Sequence, residues 1–317
     1  MTIILLLVGL GLTVLGADWL VDGASAIARK AGVSEFVIGL TVVGFGTSCP
    51  ELVVSLTGAI QGNADISIGN VIGSNIFNAL FILGITAVIM PVSMTNENRR
   101  RDIPVTIAVS VILVLFGMSR TLLGIGGDDN LSRPEGIFFL FLFGVYLYAC
   151  FRFDSKEKND MPDHKNMRLP LAIIAVAAGL AGLIFGGNLL VDSATDMARS
   201  LGVSDKFIAI TILAGGTSLP ELATCIVAAA KHRNQLALGN ILGSNVFNIL
   251  LILGCSAVIT PLSFRGMSLV DSAVLIASSV MLLLWAYTGT KCRIDRWEGA
   301  LMLIAFGAYY YYLFEKM

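Results

Sequence analysis

Two glutamates, Glu51 and Glu221, stand in stretches apolar enough for hydrocarbon, each behind the same small polar residues: "GTSCPEL" from Gly46 to Leu52 and "GTSLPEL" from Gly216 to Leu222. An ionisable group at a bilayer centre costs at least about 2.5–3.5 kcal/mol on insertion scales, so something nearby must offset it. Around Glu51 the neighbours are oxygen donors. Thr47 lies four residues earlier and shares its helix face. Pro50 lacks an amide hydrogen and clashes with the carbonyl four residues back, so the helical ladder here is incomplete; Gly44 and Gly46 permit the distortion. Freed carbonyls at membrane depth are tolerated only where they face protein or a water-lined cavity. They are also good ligands for a hard cation.

A second pair of motifs carries the same chemistry: "GNVIGSNIFN" from Gly69 to Asn78 and "GNILGSNVFN" from Gly239 to Asn248. Ser74 and Asn78 are four apart, with Gly73 and Gly69 on a similar line that lets a neighbouring helix approach closely. Ser244 and Asn248 repeat this, beside Thr217, Ser218 and Glu221. Two carboxylates among hydroxyl, amide and carbonyl oxygens suit Ca²⁺, which takes 6–8 oxygen ligands at about 2.3–2.6 Å. They could instead hold sodium ions or protons, and that exchange of occupants would let one cavity serve an antiporter.

Most of these residue types also have ordinary structural uses. Gly, Ser, Thr and Pro pack membrane helices, and Asn78 and Asn248 could hydrogen-bond between them. Asn70, Asn75, Asn240 and Asn245 read as such glue or as helix-end groups. Asp22 and Asp192 read as groups near the ends of the first helix of each repeat, capping it or facing water, with lining of the ion path as the lesser alternative. Asp18 has only Asn188 opposite it and stays outside the core site.

The elements that must position these groups follow from composition and repetition. The 317 residues are 56% hydrophobic and 14% charged, against about 25% charged in soluble proteins, with a mean hydropathy of +0.83. Apolar segments predict spans near 2–22, 35–60, 65–90, 103–120 and 134–152, then 170–192, 205–230, 235–260, 270–289 and 295–314. The second five copy the first at a constant offset of 170 residues, the distance from Glu51 to Glu221, with no gap from Gly9 to Ser93. Later, "RPEG" at Arg133 pairs with "RWEG" at Arg296 at an offset of 163. An odd number of spans per copy forces the second to enter from the opposite side. The fold class is therefore an all-α polytopic membrane protein, ten transmembrane helices as two inverted five-helix repeats. Residues 1–152 form the first repeat, 153–169 a polar and mobile linker, and 170–317 the second.

With ten spans, 15 of the 21 lysines and arginines fall on one side and 6 on the other. The positive-inside rule then places the basic side and the linker in the cytoplasm and both termini outside. The first apolar run has no basic residue before Arg29, unlike a signal peptide, and its internal copy marks it as a transmembrane helix. No basic tract or zinc spacing points to nucleic acid. His164 and His232 fall in polar loops. The five cysteines, Cys49, Cys150, Cys225, Cys255 and Cys292, are odd in number and form no CxxC pair, so they read as free packed thiols.

In its paired "GTSCPEL…GNVIGSNIFN" and "GTSLPEL…GNILGSNVFN" motifs, the chain resembles the calcium/cation antiporter superfamily, sodium/calcium exchanger type, in its compact prokaryotic form. The resemblance covers nearly the whole chain and implies an inverted five-plus-five bundle with four clustered ion sites. It implies a calcium site of Glu51 and Glu221 with Thr47 and Thr217. It further implies flanking sodium sites using Ser48, Ser74, Ser218, Ser244 and the backbone carbonyls of Gly44 and Ala214, with Asn78 and Asn248 at positions where the family places Asn or Asp. Similar exchangers alternate access by sliding the first helix of each repeat across the core. Two positions depart from the family pattern. Cys49 stands where leucine is usual, and Asn78 and Asn248 are both neutral where well-understood sodium/calcium exchangers carry one aspartate.

The expected function is a bacterial-type inner-membrane antiporter exporting Ca²⁺ against Na⁺, with H⁺ as the runner-up coupling ion and K⁺ as a further possibility. Its partners are inorganic cations and the lipid bilayer, with no cofactor. A passive channel would need weaker, serial sites. An intramembrane hydrolase would use paired acids as general acid and base, but the chain has no GxGD-type motif.

Overall fold

The computed structural model describes residues 2–124, 128–153, 167–202, 214–288 and 292–316. Each repeat begins with its longest helix, Thr2–Ala31 and Leu169–Ser200. At 1.5 Å per residue the first is about 45 Å long, more than the roughly 30 Å of a hydrocarbon core. The two lie antiparallel with their backbones touching. A Cβ at Gly16 would sit 2.7 Å from the amide nitrogen of Leu183, and one at Gly179 would sit 2.6 Å from that of Leu20. Without a hydrophobic drive between helices in lipid, such close approach is what gives them contact area.

Both helices run past the sequence-predicted ends at 22 and 192. Asp22 and Asp192 therefore lie inside helices, not near their ends. Hydropathy drops at the aspartates, but the helix does not stop there. After Asp22 the small residues Gly23, Ala24, Ser25, Ala26 and Ala28 are all buried, so packing carries the helix onward.

The second segment of the first repeat is broken at Ser48. Glu35–Thr47 and Cys49–Ile60 meet at 49°, with Ser48 at φ −83°, ψ 8° and Pro50 in the opening turn of the following helix. Ser218 repeats the break at φ −90°, ψ 8° before Leu219–Ala230. Of the span predicted at 205–230, the described residues begin at Ala214, and those of the linker exclude 154–166.

The third segments, Ala64–Ile89 and Asn234–Ile259, are the most buried of the long helices and form the inner pair. Each widens into a π-helical stretch, at Phe77–Ile82 and Phe247–Leu253, where Asn78 and Asn248 stand. Such widenings frequently mark functional sites. Ile103–Gly117, Arg133–Arg152, Leu269–Tyr287 and Arg296–Lys316 complete the set of segments.

Among the described residues six helices are singly long and apolar enough to cross a membrane, and the bent pair makes a seventh. The other segments escape that measure for local reasons. Ile103–Gly117 has 15 residues because a π-helical turn, Asn98–Asp102, precedes it. Tyr309 to Tyr312 lower the hydropathy of Arg296–Lys316.

Two short ladders make the inversion explicit. Val92–Ser93 pairs antiparallel with Arg293–Ile294, and Asn130–Leu131 pairs with Leu262–Ser263. The repeat offsets carry Val92↔Ile294 onto Leu262↔Leu131, so one ladder is the image of the other. The first lies on the face that holds most of the basic residues, the second on the opposite face. Strands of two residues leave no periodic trace, and sequence reading had none here.

Candidate cation-binding site

The two breaks deliver Glu51 and Glu221 into the opening turns of Cys49–Ile60 and Leu219–Ala230, where the helix dipole favours negative charge. Both side chains are fully buried (0% exposed). Each is held through one oxygen by serines of both repeats. Ser218 Oγ donates to Glu51 Oε1 at 3.0 Å and Ser74 Oγ to the same atom at 3.5 Å. Across the axis, Ser48 Oγ donates to Glu221 Oε1 at 2.9 Å and Ser244 Oγ at 3.5 Å. The structure thus brings together Ser48, Glu51, Ser74, Ser218, Glu221 and Ser244 in one interlocked network.

The amides extend it. Asn78 Nδ2 donates to Asn245 Oδ1 at 3.1 Å, and Asn248 Nδ2 to Asn75 Oδ1 at 2.9 Å. Each nitrogen is thereby turned toward the other repeat, fixing where the side-chain oxygen goes. Four buried oxygens then remain without a hydrogen-bond partner: Glu51 Oε2, Glu221 Oε2, Asn78 Oδ1 and Asn248 Oδ1. They are related two by two through the repeat. Buried polar atoms are expensive when unsatisfied, and this set contains acceptors only. A cation would satisfy all four at once.

The remaining predicted residues are less symmetric. Thr47 is fully buried and its Oγ1 donates to Asn240 Oδ1 at 3.1 Å. The Gly44 carbonyl accepts from the Ser48 amide at 3.1 Å and lies 3.4 Å from Ser244 Oγ, which sets it beside the network. Thr217 is half-buried and borders a cavity. Ala214 is described as the first residue of the helical turn Ala214–Gly216.

That cavity, about 420 Å³, is lined by Cys49, Pro50, Val54, Asp192, Thr217 and Pro220 among others. It lies on the side of Glu51 toward which Cys49–Ile60 runs, leading to the opposite face. A second cavity of similar volume lies on the basic face, bordered by Asp22, Ser25, Arg29, Lys231 and Arg233. None of the network residues lines it. On the wall of this second cavity, Lys231 Nζ meets Asp22 Oδ1 at 2.6 Å and Asp18 Oδ1 at 2.7 Å.

Sequence reading missed two things. Asn75 and Asn245 bond between helices, as read, but their further part in orienting Asn248 and Asn78 of the other repeat had no local trace. Asp18 and Asp22 answer to Lys231 of the other repeat, a long-range pairing with no local trace.

With this geometry in hand, comparison with known proteins gives a consistent result. The sequence pattern of the family described as sodium/calcium exchanger protein matches residues 1–152 and 171–315. The sodium/calcium exchanger MaX1 of Methanosarcina acetivorans is 35% identical, over 98% of this chain and 98% of its own length. The inner membrane protein YrbG of Escherichia coli is 37% identical, over 81% of this chain and 79% of its own. Among solved structures, the sodium-calcium exchanger NCX_Mj, soaked with zero Na⁺ and Ca²⁺, superposes with a TM-score of 0.82 at 34% identity, covering 96% of this chain and 95% of that one.

Proposed function

Because this chain belongs to the sodium/calcium exchanger protein family, we propose that it moves Ca²⁺ across the membrane in exchange for Na⁺ by alternating access. That it is a multi-pass membrane cation exchanger, and a transporter rather than an enzyme, follows from family and fold together. The finer reading rests on the four unpartnered oxygens of Glu51, Glu221, Asn78 and Asn248.

In this reading the two carboxylates match the charge of one Ca²⁺, and Thr47 and Thr217 complete its shell. Ser48, Ser74, Ser218 and Ser244, with the carbonyls of Gly44 and Ala214, serve the sodium ions. Emptying the site would leave two buried carboxylates uncompensated, each costing several kcal/mol. The bundle therefore changes face only when loaded. That is what makes a two-sided cavity an exchanger instead of a leak.

Residues 1–152 and 170–317 are the two inverted repeats, joined by the 153–169 linker, and access alternates as the first helix of each slides across the core. The basic face is cytoplasmic and both termini are extracytoplasmic; the membrane is the inner membrane of a bacterial-type cell, and the similar YrbG is an inner membrane protein. The cavity beside Thr217 then makes the present conformation outward-facing.

Flux into proteoliposomes tests this. Radiolabelled calcium should accumulate uphill when the vesicles are loaded with Na⁺ and diluted into Na⁺-free buffer. Accumulation driven equally by a proton or potassium gradient in the absence of Na⁺ would transfer the coupling role to that ion. Uptake indifferent to every gradient would contradict exchange altogether.

A further inference from the structure

The repeat operation carries Asp22 onto Asp192, Asp18 onto Asn188 and Lys231 onto Gln61. At the central site such mates behave alike. Here they do not. On the basic face the Lys231 ammonium donates to Asp22 Oδ1 at 2.6 Å and to the Asp18 carbonyl at 3.2 Å, and forms an ion pair with Asp18 Oδ1 at 2.7 Å. Lys231 closes the helix Leu219–Ala230, whose opening turn carries Glu221. Asp18 and Asp22 belong to the helix Thr2–Ala31. The ion pairs therefore clamp the long first helix to the helix that carries one of the two acids.

The mirror-related place is open. Gln61 is neutral and exposed, and so are Asn188 and Asp192 exposed. Between Leu169–Ser200 and Cys49–Ile60 lies the cavity that reaches Thr217, with Asp192 on its wall. Repeat-related pairs of helices are thus clamped on one face and parted on the other, and the clamped face is the one with the lysine.

We infer that Lys231 is a tethered cation that holds the basic-face access path shut, occupying the two aspartates until the first helix shifts. Among the described residues the opposite face has no equivalent clamp, so opening and closing there is set by ion occupancy. The inference rests on the alternating-access reading. It concerns which groups bias the two states, whatever the coupling ion is. A half-buried lysine paired with two aspartates is well suited to this. Its pairs are strong enough to bias an equilibrium and still exposed enough for water to replace them.

Thiol labelling tests it from both sides. Ser25 is buried and lines the basic-face cavity. In right-side-out and inverted vesicles, Ser25→Cys is labelled with a membrane-impermeant maleimide, counted above the parent with its five native cysteines. Lys231→Gln, which removes both ion pairs, should raise the rate from the basic face roughly fivefold, within the range that two partly exposed pairs supply. Asp18→Asn with Asp22→Asn should do the same, whereas Lys231→Arg should stay near the parental rate.

The converse variant builds the clamp where it is missing. Gln61→Lys with Asn188→Asp should slow labelling of the native Cys49, which lines the opposite-face cavity, by a similar factor. Parental labelling in Lys231→Gln and in the double asparagine variant would overturn the inference, as would an Arg variant as fast as the Gln variant. Labelling reads the gate without requiring transport. A protein that moved no Ca²⁺ against Na⁺ would refute the functional reading and leave this one to stand or fall on its own.

Discussion

At the centre of the molecule, Glu51 takes a serine from the second repeat at 3.0 Å and Glu221 takes one from the first at 2.9 Å. Toward the faces the correspondence lapses. Thr47 is sealed and bonded to Asn240 while Thr217 borders a cavity, and Lys231 stands where its mate is Gln61. The contrast separates two demands on an exchanger. The shell that holds the ion must serve both faces equally, so its ligands come in matched pairs. The flanks must differ at any instant, since only one may be open. Duplication supplies the first property, and divergence between the copies tunes the second.

The largest expected effect probes the symmetric part. Glu51→Gln and Glu221→Gln should each lower calcium flux by at least about a hundredfold, the scale of truncating one member of a buried charged set. Because the centre is matched, the two losses should be alike. A variant that kept parental flux while its mate lost it would break the equivalence.

Next comes the orienting layer. Asn75→Ala and Asn245→Ala should weaken Ca²⁺ binding roughly tenfold each, as expected when a group that aims a ligand is removed. Equilibrium titration of the purified protein would measure it. A smaller effect should reveal the asymmetry. Thr217→Val should raise the half-saturating Ca²⁺ on the opposite face about fivefold, and Thr47→Val should raise it less, because Thr47 is already committed to Asn240 in this state. Equal shifts from that face would mean that the two threonines are not distinguished by access.

The smallest effect belongs to Asp192. Asp192→Asn should slow uptake from the opposite face about twofold at low ionic strength and hardly at all at high salt, the behaviour of a rim charge that guides cations without binding them. Persistence of the effect at high salt would instead make Asp192 a direct ligand.

How much was legible in the sequence divides along the same line. A glutamate in an apolar segment is conspicuous because burial is costly, and its copy 170 residues later removes chance as an explanation. The break at Ser48 was readable from Pro50 and its glycines. Readings based on hydropathy went astray where packing replaces it. Ala24, Ser25 and Ala28 continue the first helix past an aspartate, because their small side chains let a neighbour approach. The π-helical stretches carrying Asn78 and Asn248 have no residue signature, since widening one turn depends on what packs outside it. The Lys231 pairs join residues more than 200 positions apart. Repeat comparison could have flagged them through the mismatch of Lys231 with Gln61.

The most direct test is diffraction from crystals soaked in Ca²⁺. We expect one calcium ion between the repeats, with Glu51 Oε2 and Glu221 Oε2 both at about 2.3–2.6 Å and the Asn78 and Asn248 oxygens turned toward it. An ion bound elsewhere, or to one glutamate with the other directed away, would contradict the shared site.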